Sequence, residues 1–263
     1  PQMMGVIEAG PEERRRYLNL ALAQVISHYQ LALAEYGKAL LQRNALLKQL
    51  FERKGDASQL DYWDDQIATF GAQLIHARIR AIQELEKLAA RTHRELTHAN
   101  EVLRLSYQPA YDPLPVKPGQ MALSLDAPVD RGGFSLDQIR KGFLDSLQKL
   151  RLEEIARGMT TIGPHRDELR FLANGIDLGT YGSRGQVRSA ILALKIAEVA
   201  WMHAKSGHWP ILLLDEVLAE LDTQRRYDLL ERLNQAEQVL LSTTDLDLFA
   251  PEFVHNALVW HVA

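Results

Sequence analysis

Cysteine is absent from the 263 residues, which excludes a disulfide framework and thiolate chemistry and fits a reducing compartment. Positive charge is not in surplus either. The formal net charge is -4, so a globally basic nucleic-acid binder is excluded and any contact with DNA is confined to local patches. No apolar run approaches the roughly 20 residues that a membrane span needs, and no charged-then-apolar leader opens the chain. A cytoplasmic protein with no membrane partner is expected. The phosphate-cradling pattern G-x-x-x-x-G-K-[ST] is missing as well: Gly37-Lys38 is followed by Ala39 and lacks the preceding glycine. What the chain does have is apolar material, with 46% hydrophobic residues to fill a core.

Two long helical stretches come first. Gly10-Pro11-Glu12-Glu13 reads as a helix start, with proline and acids in the first turn. Apolar residues then recur in steps of three and four from Leu18 through Leu50, predicting one helix up to Phe51. Gly55 and a Ser58 cap mark a hairpin tip. The second helix carries a near-heptad stripe from Leu60, Trp63, Ile67 and Phe70 to Leu96 and Ala99. An antiparallel helical arm is expected, and the polar Asn44 and Thr92 in its seams leave room for additional helices to complete the packing. Arg80, Lys87, Arg91, Arg94 and His98 fall on one side of the second helix, spaced to track a phosphate backbone or simply to form a solvated face. Arg14-Arg15-Arg16 reads as ordinary helix surface.

Prolines at 109, 113, 115, 118 and 128 make the stretch from Gln108 to Gly133 a connector. A helix over Leu136 to Ala156 follows. Beyond it the texture is α/β: a hairpin through Asn174-Gly175, a helix from Val187 to about Lys205, and a buried strand over Pro210 to Leu214. A helix from Glu220 to about Asn234 and strands over Gln238 to Ser242 and Ala257 to Val262 complete the prediction, with the first two strands parallel.

Two pieces of this region carry chemistry. In Gly179-Thr180-Tyr181-Gly182-Ser183-Arg184-Gly185-Gln186 a turn of small residues precedes a helix whose free amides suit an anion such as phosphate. In Leu212-Leu213-Leu214-Asp215-Glu216 an apolar strand ends in two carboxylates, suited to a divalent metal and an activated water. Alone, the second pattern is only a strand reaching a loop. The two in this order, followed by Leu218 to Asp222 and by Ser242-Thr243-Thr244-Asp245, resemble the C-terminal half of an ABC-type ATPase.

Within that superfamily the chain resembles the RecF family of bacterial DNA-repair proteins. The resemblance rests on Gly163-Pro164-His165-Arg166-Asp167, Ser183-Arg184-Gly185-Gln186, the Leu214 to Asp222 run, Arg14 to Leu18 and Gln42 to Lys48. It implies a C-terminal lobe of an ABC-type ATPase head bearing a long antiparallel α-helical arm: residues 1–10 a head remnant, 11–156 the arm, 157–263 the lobe. Ser183, Arg184, Gly185 and Gln186 are then the signature that binds ATP held by a second subunit, Asp215 the Mg²⁺ ligand and Glu216 the catalytic base. Glu220 and Asp222 belong to the D-loop, and Thr243 and Thr244 stand at the switch, where many relatives of the superfamily carry histidine. The implied partners are DNA, a second copy in an ATP-dependent homodimer, and recombination mediator proteins such as RecR. His165 is expected to be structural. Because RecF relatives carry the phosphate loop ahead of the point where this sequence starts, the chain is read as a piece of a longer protein, unable by itself to turn over ATP. The alternatives are another SMC-like ATPase with the arm as spacer, a transporter's nucleotide-binding subunit, and a helical interaction module without enzymatic role.

Overall fold

The computed structural model describes residues 5–114, 129–215, 226, 227, 229, 230 and 237–261. The chain divides into two compact units, Pro1–Trp201 and Met202–Ala263. In the first, a short α1 (Gly5–Glu8) leads into α2 (Pro11–Val25), capped at Gly10 as expected. The single helix predicted up to Phe51 is two, because Ile26 is extended and α3 (Tyr29–Phe51) starts afresh. The β-branched pair Val25-Ile26, followed by Ser27, weakens the helix at this point. The break brings the Tyr29 hydroxyl within 2.9 Å of Asn19 Oδ1, to which it donates. At the hairpin tip the cap is Asp56 rather than Ser58: its carboxylate accepts from the Ser58 amide at 2.8 Å.

Helix α4 (Leu60–Leu96) runs 37 residues, about 55 Å at the helical rise. It packs against α3, against α5 (Leu136–Arg157) and against strand β1 (Leu103–Gln108). Its burial is therefore broader than a two-helix seam. Leu60, Ile67, Leu74, Ala81 and Leu85 of the predicted stripe are buried, and so are Ala68, Ala72, Ile75, Ile79 and Ile82 on adjacent faces. Helix α5, predicted nearly to the residue, supplies the third wall; a Ser135–Gln138 capping box starts it and a left-handed Gly158 ends it.

Where these helices meet, three glycines face three aromatic rings. A Cβ on Gly71 would lie 2.6 Å from the Phe143 ring and 3.1 Å from Tyr36, one on Gly142 would strike the Tyr111 hydroxyl, and one on Gly163 would lie 2.6 Å from the Tyr36 hydroxyl. Tyr111 and Phe143 stack at 5.0 Å.

Two charge clusters are buried in the same unit. Arg43 bonds Asp64 at 2.7 Å and Thr160 Oγ1 at 2.8 Å and pairs with Glu154 at 2.7 Å, while Arg151 Nε reaches the other Asp64 oxygen at 2.7 Å. Asn44, the polar residue in the first seam, accepts from the Thr160 amide and hydroxyl. In the second cluster Arg78 bonds Asp167 at 2.6 Å, the Pro164 carbonyl at 2.6 Å and Asn19 at 2.9 Å.

Strand β1 lies just ahead of the predicted connector, in residues given no element by the sequence. It alternates buried Leu103, Leu105 and Tyr107 with half-buried neighbours, the period of a strand with one covered face, and pairs antiparallel with β2 (Glu168–Ala173). The hairpin from β2 to β3 (Ile176–Asp177) turns through Asn174 and Gly175, both at positive φ, as the Asn-Gly dipeptide predicts. Short α6 (Leu178–Tyr181) and α7 (Arg184–Ser206) follow.

In the second unit β4 (Leu212–Asp215) and β5 (Val239–Ser242) pair in parallel, as predicted. The strand expected to be buried is not: Leu213 is 73% and Leu240 42% exposed. The predicted helix over Glu220 to Asn234 lies mostly outside the described residues. Of the third strand expected over Ala257 to Val262, the described residues 257–261 form none; they follow α8 (Pro251–His255) without regular structure. Leu258-Val259-Trp260 has strand propensity but pairs with no strand among the described residues.

Candidate nucleotide site

The turn ahead of α7 is built by close approach. A Cβ on Gly182 would sit 2.6 Å from the Leu178 carbonyl oxygen, so only glycine fits. Ser183 and Gln186 then cap α7 reciprocally: the Gln186 amide donates to Ser183 Oγ at 3.2 Å and the Ser183 amide to Gln186 Oε1 at 3.0 Å. Ser183, Arg184 and Gly185 are exposed. The Arg184 and Gly185 amides have no intrahelical carbonyl to bond, because they open the helix. With its Oγ accepting from Gln186, the Ser183 hydroxyl keeps its proton for an outside acceptor. Arg184 makes no ion pair among the described residues. The Gln186 side-chain amide donates to Glu101 Oε1 at 2.9 Å, a contact nothing in the local sequence announced.

The loop Gly163-Pro164-His165-Arg166-Asp167 is a structural clamp. Asp167 takes bonds from Arg78, the Tyr107 hydroxyl and the Ala110 amide, and the Arg15 guanidinium donates to its carbonyl at 2.9 Å. Arg14 bonds Glu168 twice, at 2.7 and 2.9 Å, and the Ile7 and Ala9 carbonyls. Of Arg14-Arg15-Arg16, only Arg16 is ordinary surface.

His165 sits in this clamp, its Nδ1 2.7 Å from the Tyr36 hydroxyl and its Nε2 3.3 Å from the Thr160 carbonyl. Burial pushes its imidazole down to about 4. Unfolded histidine titrates near 6.5, so acid protonates the unfolded chain first and stability is lost as pH falls from about 6.5 towards 4, by about 2 kcal/mol at pH 5. Urea midpoints at pH 7.5 and pH 5 should differ less in His165→Gln than in the parent. A small residual drop is expected from His76, pushed down by burial and by Arg80.

In the second unit the register pairs Asp215 with Ser242, so the carboxylate strand and the strand leading to Thr243-Thr244 end at the same level. The Thr243 hydroxyl is engaged in its own turn, donating to the Asp245 carbonyl at 2.9 Å and accepting from the Asp245 amide at 3.2 Å. Thr244 is exposed. Glu216, Glu220 and Asp222 lie outside the described residues.

No family model matches the chain. Over 259 residues it is 40% identical to the DNA replication and repair protein RecF of Chloroflexus aurantiacus, covering 97% of this chain and 62% of that one. Over 248 residues it is 36% identical to the protein of the same name from Enterococcus faecalis, covering 94% and 62%. The solved structure of the recombination mediator protein RecF-ATP in the RecFOR pathway is similar with a TM-score of 0.78 at 29% identity, covering 94% of this chain and 62% of that one. The chain is a segment of a RecF-family protein. It spans less than two thirds of the length of these relatives.

In this RecF-family segment the basic residues that sequence spacing singled out, Arg80, Lys87, Arg91 and Arg94 on α4 and His98 two residues past its end, are all exposed. Arg91 pairs with Glu95 at 3.2 Å, a solvated pair of the kind that contributes little. No described helix is long and apolar enough to cross a membrane.

Proposed function

We propose that this segment is the helical arm, residues 11–156, and the C-terminal ATPase lobe, 157–263, of a RecF-type DNA-repair protein. Residues 1–10 are the remnant of the rest of the head. The complete protein dimerises on ATP, clamps DNA and helps load recombinase at single-stranded gaps, together with mediator proteins such as RecR. The observation that carries the reading is the capped turn at Ser183, which offers a hydroxyl proton, two helix-start amides and the exposed Arg184 to an anion outside its own subunit. Ser183, Arg184, Gly185 and Gln186 thus serve the γ-phosphate of ATP bound by the partner copy.

The oxygen donors Asp215 and Glu216 at a strand end suit Mg²⁺, which keeps most of its waters when protein-bound. Asp215 holds the ion, whose chemistry is to offset phosphate charge; Glu216 orients and deprotonates the attacking water. Thr244 rather than the engaged Thr243 faces the phosphate at the switch, and Glu220 and Asp222 form the D-loop at the dimer contact. The exposed apolar face of β4 and β5 supports a longer head, since parallel sheets are normally covered on both faces.

The test is ATP-dependent dimerisation of the full-length protein, followed by light scattering with and without Mg-ATP. Ser183→Arg should abolish dimerisation while leaving nucleotide binding by the monomer intact. Dimerisation of the variant at parental concentrations would sink the signature assignment.

A further inference from the structure

The signature turn is not held by its own loop alone. Gln186, the residue that closes the cap on Ser183, is itself held by Glu101, at 2.9 Å. Glu101 lies just beyond the C-terminus of α4, and its second oxygen is 3.6 Å from Nε2 of His93, a fully buried residue in the last turns of that helix. The backbone around Glu101 is pinned as well. The Asn174 side chain accepts from the Val102 amide at 2.9 Å and donates to the Asn100 carbonyl at 3.3 Å, and the Asn174 amide donates to the Val102 carbonyl at 3.1 Å. Further along α7, the Trp201 indole donates to Glu84 of α4 at 2.7 Å. Helix α7 is thus tied by Gln186 to the residue beyond α4 and by Trp201 to α4 itself.

We infer that Glu101 is a positioning residue for the signature: it fixes Gln186, and through the cap the Ser183 hydroxyl, to the end of the long arm helix. This rests on the proposed role of Ser183 in the partner's ATP site. A glutamine whose side-chain nitrogen is anchored has its carbonyl oxygen aimed at the Ser183 amide. Freed from Glu101, the same side chain samples other rotamers, and the Ser183 amide loses its acceptor, which loosens the backbone that carries the hydroxyl. The arm thereby acquires a lever on the ATP-bound dimer, because any displacement of the α4 terminus reaches the turn through one carboxylate.

In the full-length protein Glu101→Ala is expected to weaken each signature contact about tenfold, the loss of a charged hydrogen bond at a half-buried site. A twofold dimer has two such contacts, so its dissociation constant in Mg-ATP rises about a hundredfold. Monomer affinity for a fluorescent ATP analogue stays unchanged, a split that general destabilisation would not give. Glu101→Gln, whose oxygen still accepts from Gln186, recovers at least half of the logarithmic loss. Ser183→Arg is measured in parallel. If it abolishes dimerisation while Glu101→Ala dimerises like the parent, the positioning role is refuted and the signature role stands. If both dimerise normally, the signature role has failed. Equal loss in Glu101→Ala and Glu101→Gln also overturns the inference, since the accepting oxygen would then be irrelevant.

Discussion

Replacing Asp167 with alanine should destabilise the first unit by about 3–5 kcal/mol, the range for a buried ion pair broken from one side. The carboxylate is almost fully buried and receives Arg78 at 2.6 Å, the Ala110 amide at 2.9 Å and the Tyr107 hydroxyl. Burial and the charge of Asp167 push the Tyr107 phenol well up, so it stays protonated and donates. Without Asp167 these donors lose their acceptor inside a dry site, and the guanidinium charge loses its partner. A native stability of about 5–15 kcal/mol leaves little margin for such a loss. Urea unfolding followed by tryptophan fluorescence gives the difference. The double change Arg78→Met with Asp167→Leu should cost less than Asp167→Ala alone, because it leaves no unpaired charge. A loss under about 1 kcal/mol for Asp167→Ala would contradict the account.

The other large effect is expected at Arg43, where Arg43→Ala should also cost about 3–5 kcal/mol. Its side chain and those of Asp64 and Glu154 are all 0% exposed. Removing the cation leaves two buried carboxylates, with Asp64 still held by Arg151 but Glu154 left only the amide and hydroxyl of Thr161, at 2.6 and 2.9 Å. Arg43→Lys should recover less than half of the loss. One ammonium keeps the charge but cannot reproduce a planar fork that addresses Asp64 through Nε and Thr160 and Glu154 through Nη1. Full recovery by lysine in the same urea titration would mean that charge alone, not geometry, holds the cluster.

Sequence reasoning succeeded where one periodicity or one dipeptide decides the local structure. The α5 boundaries, the Asn174-Gly175 hairpin and the parallel pairing of β4 with β5 were legible for that reason. It failed where distant residues decide. Nothing in the sequence singles out Arg43 and Arg78 as buried, since arginine is seldom so and the acids at positions 64, 154 and 167 that receive them are distant in the chain. Strand β1, between the end of the arm helix and the first proline of the connector, was missed, although the alternation of Leu103, Leu105 and Tyr107 could have shown it. At the candidate site, the turn of small residues ahead of α7 was legible from residue types alone because it is local. Glu101 was not, because 85 residues separate it from Gln186.

The glycines and rings at the meeting point of α3, α4 and α5 constrain how relatives of this chain can drift. Each small position is opposed by a large one, Gly71 by Phe143 and Tyr36, Gly142 by Tyr111, Gly163 by Tyr36 and Phe143. A methyl gained on one side demands atoms lost on the other, so a single substitution here passes through an overpacked intermediate. These six positions should therefore change in pairs or not at all, and co-variation between them would reveal the three-helix junction to anyone holding only an alignment.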